Sequence, residues 1–216
     1  MFQDIIALYQ ERWEFFLQLT LQHLQISGIS ILLAAAIGLF LGIFISKHKK
    51  ASPFVIGATN VIYTIPSIAL LGFLIPATGI GDGTAIIALT VYALLPMVRG
   101  VFTGISNIDE SVIETARGMG STDFQILYRI ELPLAAPVIL SSLKNMVVMT
   151  IALTGIASFI GAGGLGVAIY RGITTNNPVM TVAGSILIAA MALVLDIVIG
   201  RVEKSILKRR KMIPAK

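Results

Sequence analysis

Apolar residues in this chain arrive in long unbroken blocks, without the strand period of 2 or the one-sided period of 3.6 that marks a helix on the surface of a soluble protein. Blocks at 26–45, 53–74, 84–101, 134–160 and 179–200 each come close to the ~20 residues an α-helix needs to cross a bilayer core. They predict an all-α membrane protein of about five spanning helices. The basic run Lys47-His48-Lys49-Lys50 stops the first block, and a polar insert, 103–133, separates the third from the fourth. Residues 1–20 mix apolar and charged types and are expected to form an amphipathic segment lying on membrane lipid. The membrane domain then runs over 21–205 and a basic tail over 206–216.

Composition supports this division. Of 216 residues 56% are hydrophobic and 12% charged, about half the ~25% charged fraction of soluble domains. Cysteine is absent, which removes disulfide, thiol and zinc-thiolate chemistry from consideration. The net charge of +5 is gathered beside the apolar blocks, as membrane flanks are, and does not point to nucleic acid. With the N-terminus outside, fourteen of the sixteen Lys and Arg fall on the cytoplasmic side, leaving Arg12 and Arg171 outside. The positive-inside rule favours that orientation and a cytoplasmic C-terminus. The first residues carry Asp4, Glu11 and Glu14 and lack the basic start of a cleavable signal. Localisation to the cytoplasmic membrane as a multi-pass protein is expected.

The insert reads as a helical hairpin. Residues from Asp109 to Met119 favour helix, with Asn107 or Asp109 as the N-cap, and Gly120 suits the left-handed position past a helix end. Ser121 or Thr122 is placed to cap a second helix over 123–130, with Asp123 in its first turn. Pro133 is expected to stop that helix before the fourth span.

Glu114-Thr115-Ala116, three residues, Gly120, nine residues, then Ile130-Glu131-Leu132-Pro133 resembles the cytoplasmic coupling loop of binding-protein-dependent ABC importers. That pattern is E-A-A, three residues, G, nine residues, I-x-L-P, and Thr115 is the one departure. The resemblance implies a permease subunit with a methionine-importer-like type I core, coupled through the Glu114–Pro133 loop to a separate ATPase. Glu114, Thr115, Ala116, Gly120, Ile130, Leu132 and Pro133 become the coupling residues, with Ala116 permitting close approach and Glu114 carrying a polar contact. Two copies of the ATPase, which binds the ATP and magnesium, a second permease chain (identical or homologous) and an extracellular substrate-binding protein are the implied partners. Tyr63–Pro76, Leu94–Gly100 and Gly161-Ala-Gly-Gly-Leu-Gly166 resemble permeases of osmoprotectant importers, which move glycine betaine, carnitine or choline. Importers of the methionine type share the core and the loop and form the alternative. Alternating access is the expected mechanism.

Gly161-x-Gly163-x-x-Gly166 also spells a dinucleotide fingerprint, but it follows a membrane block rather than a strand in a βαβ unit, and a tight outer turn is expected instead. The sequence has no G-x-x-x-x-G-K-[ST], so ATP hydrolysis is left to a partner chain and no cofactor is expected here. Pro66 and Pro96 are expected to kink the second and third spans. Thr150, Thr154 and Ser158 recur every fourth residue, on one helical face with Asn145 and Met149 nearby, and either line a translocation path or pack helices together. Tyr63 and Tyr92 lie within spans and either meet a passing cation or pack. Lys144 and Asp196 are the ionisable residues nearest membrane depth and form a candidate pair. An ion-driven secondary transporter would show internal repeats, and none is found. An intramembrane enzyme would need a catalytic pair, yet His23, His48 and Asp196 do not supply one.

Overall fold

The structure is a computed structural model and describes residues 1–209. Among those residues the only regular elements are helices: α1 (Phe2–Glu11), α2 (Trp13–Lys47), α3 (Ser52–Thr64), α4 (Ser67–Thr78), α5 (Asp82–Ser106), α6 (Glu110–Gly118), α7 (Asp123–Ile126), α8 (Leu132–Ala157), α9 (Gly166–Thr174) and α10 (Pro178–Arg209). A π-helical turn, Leu127–Glu131, joins α7 to α8. Four helical stretches are long and apolar enough to cross a membrane, and the bent pair α3–α4 makes a fifth if counted as one span.

Four boundaries differ from the sequence expectation. The N-terminal segment breaks at Arg12 (φ −121°, ψ 34°), so residues 13–20 belong to α2, whose 35 residues reach about 52 Å at ~1.5 Å per residue. The buried Ile5 belongs to a cluster with Phe16, Leu19, Leu165 and Met180, and Tyr9 donates to the Ala183 carbonyl at 2.7 Å. α1 therefore packs on the bundle through part of its surface. The kink expected in the second block at Pro66 is a full break, and α3 and α4 meet at 100°. Pro66 lacks an amide proton and pushes Ile65 to an extended conformation (φ −69°, ψ 127°), which ends α3, and the Pro66 carbonyl then opens α4. By contrast α5 runs through Pro96 without a break. Pro133 does not stop a helix. It sits in the first turn of α8, where a missing amide proton costs least, and Asp123–Ile160 forms one continuous stretch. The sequence reading also lacked α9, which lies within the presumed outer loop. Of the basic tail, residues 206–209 continue α10 and 210–216 lie outside the described residues.

α5 is the central helix, packed against α2 on one side and α8 on the other. Apolar burial gives little drive for helices to associate in lipid, so close contact between small residues has to supply it. A Cβ built on Gly38 of α2 would stand 2.7 Å from the Met97 side chain, and one on Gly42 would stand 3.0 Å from the Val98 carbonyl. On the other side, one on Gly104 would lie 3.1 Å from Ala135. The glycines let the three helices approach this closely.

The end of the bundle opposite the 103–133 insert is tied together by polar contacts. The Gly163 amide donates to Asp82 at 2.7 Å and the Gly164 amide to Gln22 at 3.3 Å. His23, fully buried, accepts from the Leu165 amide at its Nδ1 (3.3 Å) and faces the Ile151 carbonyl with its Nε2 (3.0 Å). An amide can only donate, so these contacts fix the tautomer with the proton on Nε2. Gly164 adopts φ +92° close against His23, a backbone conformation that strains any residue carrying a Cβ. The glycine motif is thus a turn clamped between α2 and α5. It follows a helix, not a strand, and lacks the βαβ context of a dinucleotide site.

Candidate functional site

Two regions stand out: the α6–α7 hairpin and an open groove among α3, α5 and α8. The hairpin is built by local rules. Asp109 caps α6 by accepting from the Ser111 amide at 2.9 Å, and hydrogen bonds from Ser111 hold its carboxyl below the ordinary aspartate range. α6 ends in a Schellman turn: the Ser121 amide reaches the Ala116 carbonyl (3.0 Å) and the Gly120 amide reaches Arg117 (2.9 Å). Gly120 adopts φ +83°, a conformation that strains any residue carrying a Cβ. Thr122 and Gln125 then form a reciprocal capping box over α7. Arg117 and Asp123 bridge the two helices at 3.2 Å, both exposed.

Glu114, Thr115 and Gly120 are exposed, and the Thr115 hydroxyl is absorbed by its own helix, donating to the Ser111 carbonyl at 2.7 Å. Ala116 is buried in the hairpin, and its carbonyl accepts from the Ser121 amide. Ile130 is half-buried. Leu132 and Pro133 line a cavity of about 480 Å³ with Leu39, Tyr128 and Ile206. The exposed surface of the hairpin carries large apolar side chains as well: Met119 (82% exposed), Phe124 (75%) and Tyr128 (67%). Phe124 and Tyr128 stack with rings 6.5 Å apart and nearly parallel. The sequence reading missed this pair, although two aromatics four residues apart in a polar segment mark one helical face.

Where the hairpin joins the bundle, Lys47 at the end of α2 forms a 2.5 Å ion pair with Glu131. Glu131 is buried and lies in the π-turn, so the pair ties the hairpin's base to a spanning helix. Sequence spacing gave no sign of it, because 84 residues separate the partners. Lys144 and Asp196, the candidate pair, do meet, at 3.0 Å and half-buried.

The groove has a volume of about 370 Å³ and is lined by Tyr63, Leu95, Pro96, Arg99, Gly100, Thr103, Val138, Ser142 and Asn145. Of the expected path residues it gathers Tyr63 and Asn145. Met149 is next to it, accepting from the Tyr63 hydroxyl at 3.4 Å, and Tyr92 braces the Tyr63 ring edge-on at 6.0 Å. Thr150, Thr154 and Ser158 are not on its wall. All three are buried, and each hydroxyl donates to a backbone carbonyl three or four residues back. Arg99, counted from sequence among the cytoplasmic flanks, lines the groove and donates to Asn60 at 2.9 Å.

Comparison with known proteins matches this arrangement to membrane transport. The profile of the binding-protein-dependent transport system inner membrane component family covers residues 34–208. The glycine betaine/carnitine/choline transport system permease protein OpuCD of Bacillus subtilis is 39% identical over 97% of this chain and 93% of its own length. The carnitine transport permease protein OpuCB of Listeria monocytogenes is 39% identical over 92% of this chain and 91% of its own. The osmoprotectant import permease protein OsmW of Salmonella typhimurium is 40% identical over 86% and 88%. Among solved structures, an inward-facing form of the MetNI methionine ABC transporter has a chain that superposes with a TM-score of 0.82 at 24% identity, covering 88% of this chain and 95% of that one. That likeness speaks for the fold. The chain is a multi-pass membrane protein whose relatives are transport subunits and not enzymes, and it belongs to the binding-protein-dependent transport system inner membrane component family.

Proposed function

We propose that this chain forms the membrane path of an ATP-driven importer for quaternary ammonium compatible solutes such as glycine betaine, carnitine or choline. The ATP-driven part of the reading rests on one observation: a capped, rigid hairpin presents Glu114 and a stacked aromatic pair to the outside of the bundle. A loop needed only to keep polar residues out of lipid would not expose Met119, Phe124 and Tyr128 together. The substrate class follows from kinship with permeases named for those solutes.

In this reading the N-terminus is outside and the hairpin is cytoplasmic, where fourteen of sixteen cations lie. Each of two ATPase subunits receives one hairpin in a groove, with Glu114 and the Phe124–Tyr128 face as its contacts. ATP and magnesium are held by those partners. Motion of the hairpin passes through the continuous Asp123–Ile160 stretch and through the Lys47–Glu131 pair into α8 and α2. Polar groups of the α3–α5–α8 groove are costly to leave in lipid, which supports a second permease chain, identical or homologous, closing over it. An extracellular binding protein delivers the solute, and alternating access carries it across. A methionine-type amino-acid importer would use the same parts, and the relatives' names weigh against it.

The test is a mild-detergent pull-down of the full chain, wild type against Glu114→Arg, with co-purifying proteins identified. A P-loop ATPase recovered with wild type and lost with Glu114→Arg is the expected result. No ATPase with either form would refute coupling and leave ion-driven transport as the explanation.

A further inference from the structure

The groove brings together two chemistries that the fold does not require. Arg99 lies about 10 Å inside the C-terminal end of α5, at ~1.5 Å per residue, and forms no ion pair among the described residues. Its one hydrogen-bond partner is the neutral Asn60, which leaves most of its five donors free. Its side chain is exposed on the wall of the groove, where a guanidinium with a single neutral partner is open to a ligand. One helical turn from Asn60 on the same face of α3 stands Tyr63, 44% exposed. Its hydroxyl is held by Met149 and its ring by Tyr92. The ring is thus fixed in orientation and open to the same cavity as Arg99. A fixed, exposed tyrosine ring attracts a quaternary ammonium, and a free guanidinium fork binds a carboxylate. Thr103, Ser142 and Asn145 add neutral hydrogen-bonding groups. The volume, about 370 Å³, falls in the lower part of the ~300–1,000 Å³ range of small-molecule sites.

From this juxtaposition we infer that Arg99 and Tyr63 form a binding site within the permease for a zwitterion bearing both a quaternary ammonium and a carboxylate. The inference rests on the proposed function and sharpens it. The ammonium sits against Tyr63 and the carboxylate on Arg99, oriented by Asn60. Choline has the same ammonium but a hydroxyl in place of the carboxylate, so it gains nothing from Arg99 and its charge is repelled. The groove therefore selects betaine-like solutes over choline independently of any binding protein.

Both solutes carry trimethylammonium protons, so saturation-transfer NMR can read their binding to the permease–ATPase complex in nanodiscs, with no binding protein added. Wild type is expected to favour glycine betaine over choline by about tenfold or more, the worth of a charge-assisted hydrogen bond. Arg99→Met should abolish that preference, Arg99→Lys should keep part of it, and Tyr63→Leu should weaken both ligands. Basal ATP hydrolysis reports whether each variant assembles, and the wild-type comparison stands even if Arg99→Met does not. Equal binding of the two solutes by wild type, binding of neither, or an undiminished preference in Arg99→Met would overturn the site. Failure of the wild-type assembly to take up any of these solutes would instead overturn the function on which the site depends.

Discussion

Asp109 shows how far single residues define the coupling element. Its carboxyl, hydrogen-bonded by Ser111, has its pKa lowered from 3.8 in the folded chain. A depressed folded value means the stabilisation is fully present above the unfolded pKa and is lost as pH falls through the folded one. Amide exchange over α6 should therefore stay slow through mildly acidic pH and rise only below the ordinary aspartate range; Asp109→Asn should keep the cap and remove that dependence. Thr122→Ala removes the capping box and should cost about 1 kcal/mol of local stability, measurable as faster exchange at Gln125 with the spanning helices unchanged. These caps were legible in the sequence because capping depends on neighbours two or three residues away. The inward turn of Ala116 was not: its burial depends on where α7 folds back, which no local rule specifies. The Arg99–Asn60 contact was not legible for a similar reason. A charge count assigns a cation to a membrane side, whereas its partner Asn60 is 39 residues away.

Helices show the same contrast between local and long-range information. Each apolar block produced helix, because about twenty mostly apolar residues can do little else in a bilayer. The ends were harder to place. Pro66 and Pro133 look alike in sequence, yet Pro66 breaks a span at 100° and Pro133 opens one. The difference lies in what precedes them. Ile65 is free to extend, while the π-turn at Leu127–Glu131 carries the helix past the missing amide. π-turns of this kind recur at functional sites, and this one holds the carboxylate that pairs with Lys47. Glu131→Gln should leave ATPase binding in the pull-down intact while lowering solute uptake per ATP hydrolysed, read from paired uptake and hydrolysis rates. Loss of ATPase binding would mean the pair only supports the fold. The α2–α5 contact makes a separate prediction: Gly38→Leu forces a side chain into the Met97 position and should destabilise the bundle by about 1–3 kcal/mol or more, read as lower detergent-solubilised yield and melting temperature.

At the level of the whole molecule, the open groove is the feature that a single chain leaves unfinished. The protein contains no cysteine, so an introduced thiol reports without background. Asn145→Cys, on the groove wall, should cross-link between paired permease chains or react with a thiol probe only from an aqueous path; labelling by a lipid-restricted probe instead would mean the groove faces the bilayer. The central claim is that this path works only when the hairpin is driven by ATP. Uptake of labelled glycine betaine into proteoliposomes, with the ATPase and binding protein present, tests it most directly for wild type and Glu114→Arg. The account predicts wild-type uptake that needs ATP, ignores ion gradients and is abolished by Glu114→Arg. Uptake that follows an ion gradient without ATP, or that survives Glu114→Arg, would contradict it.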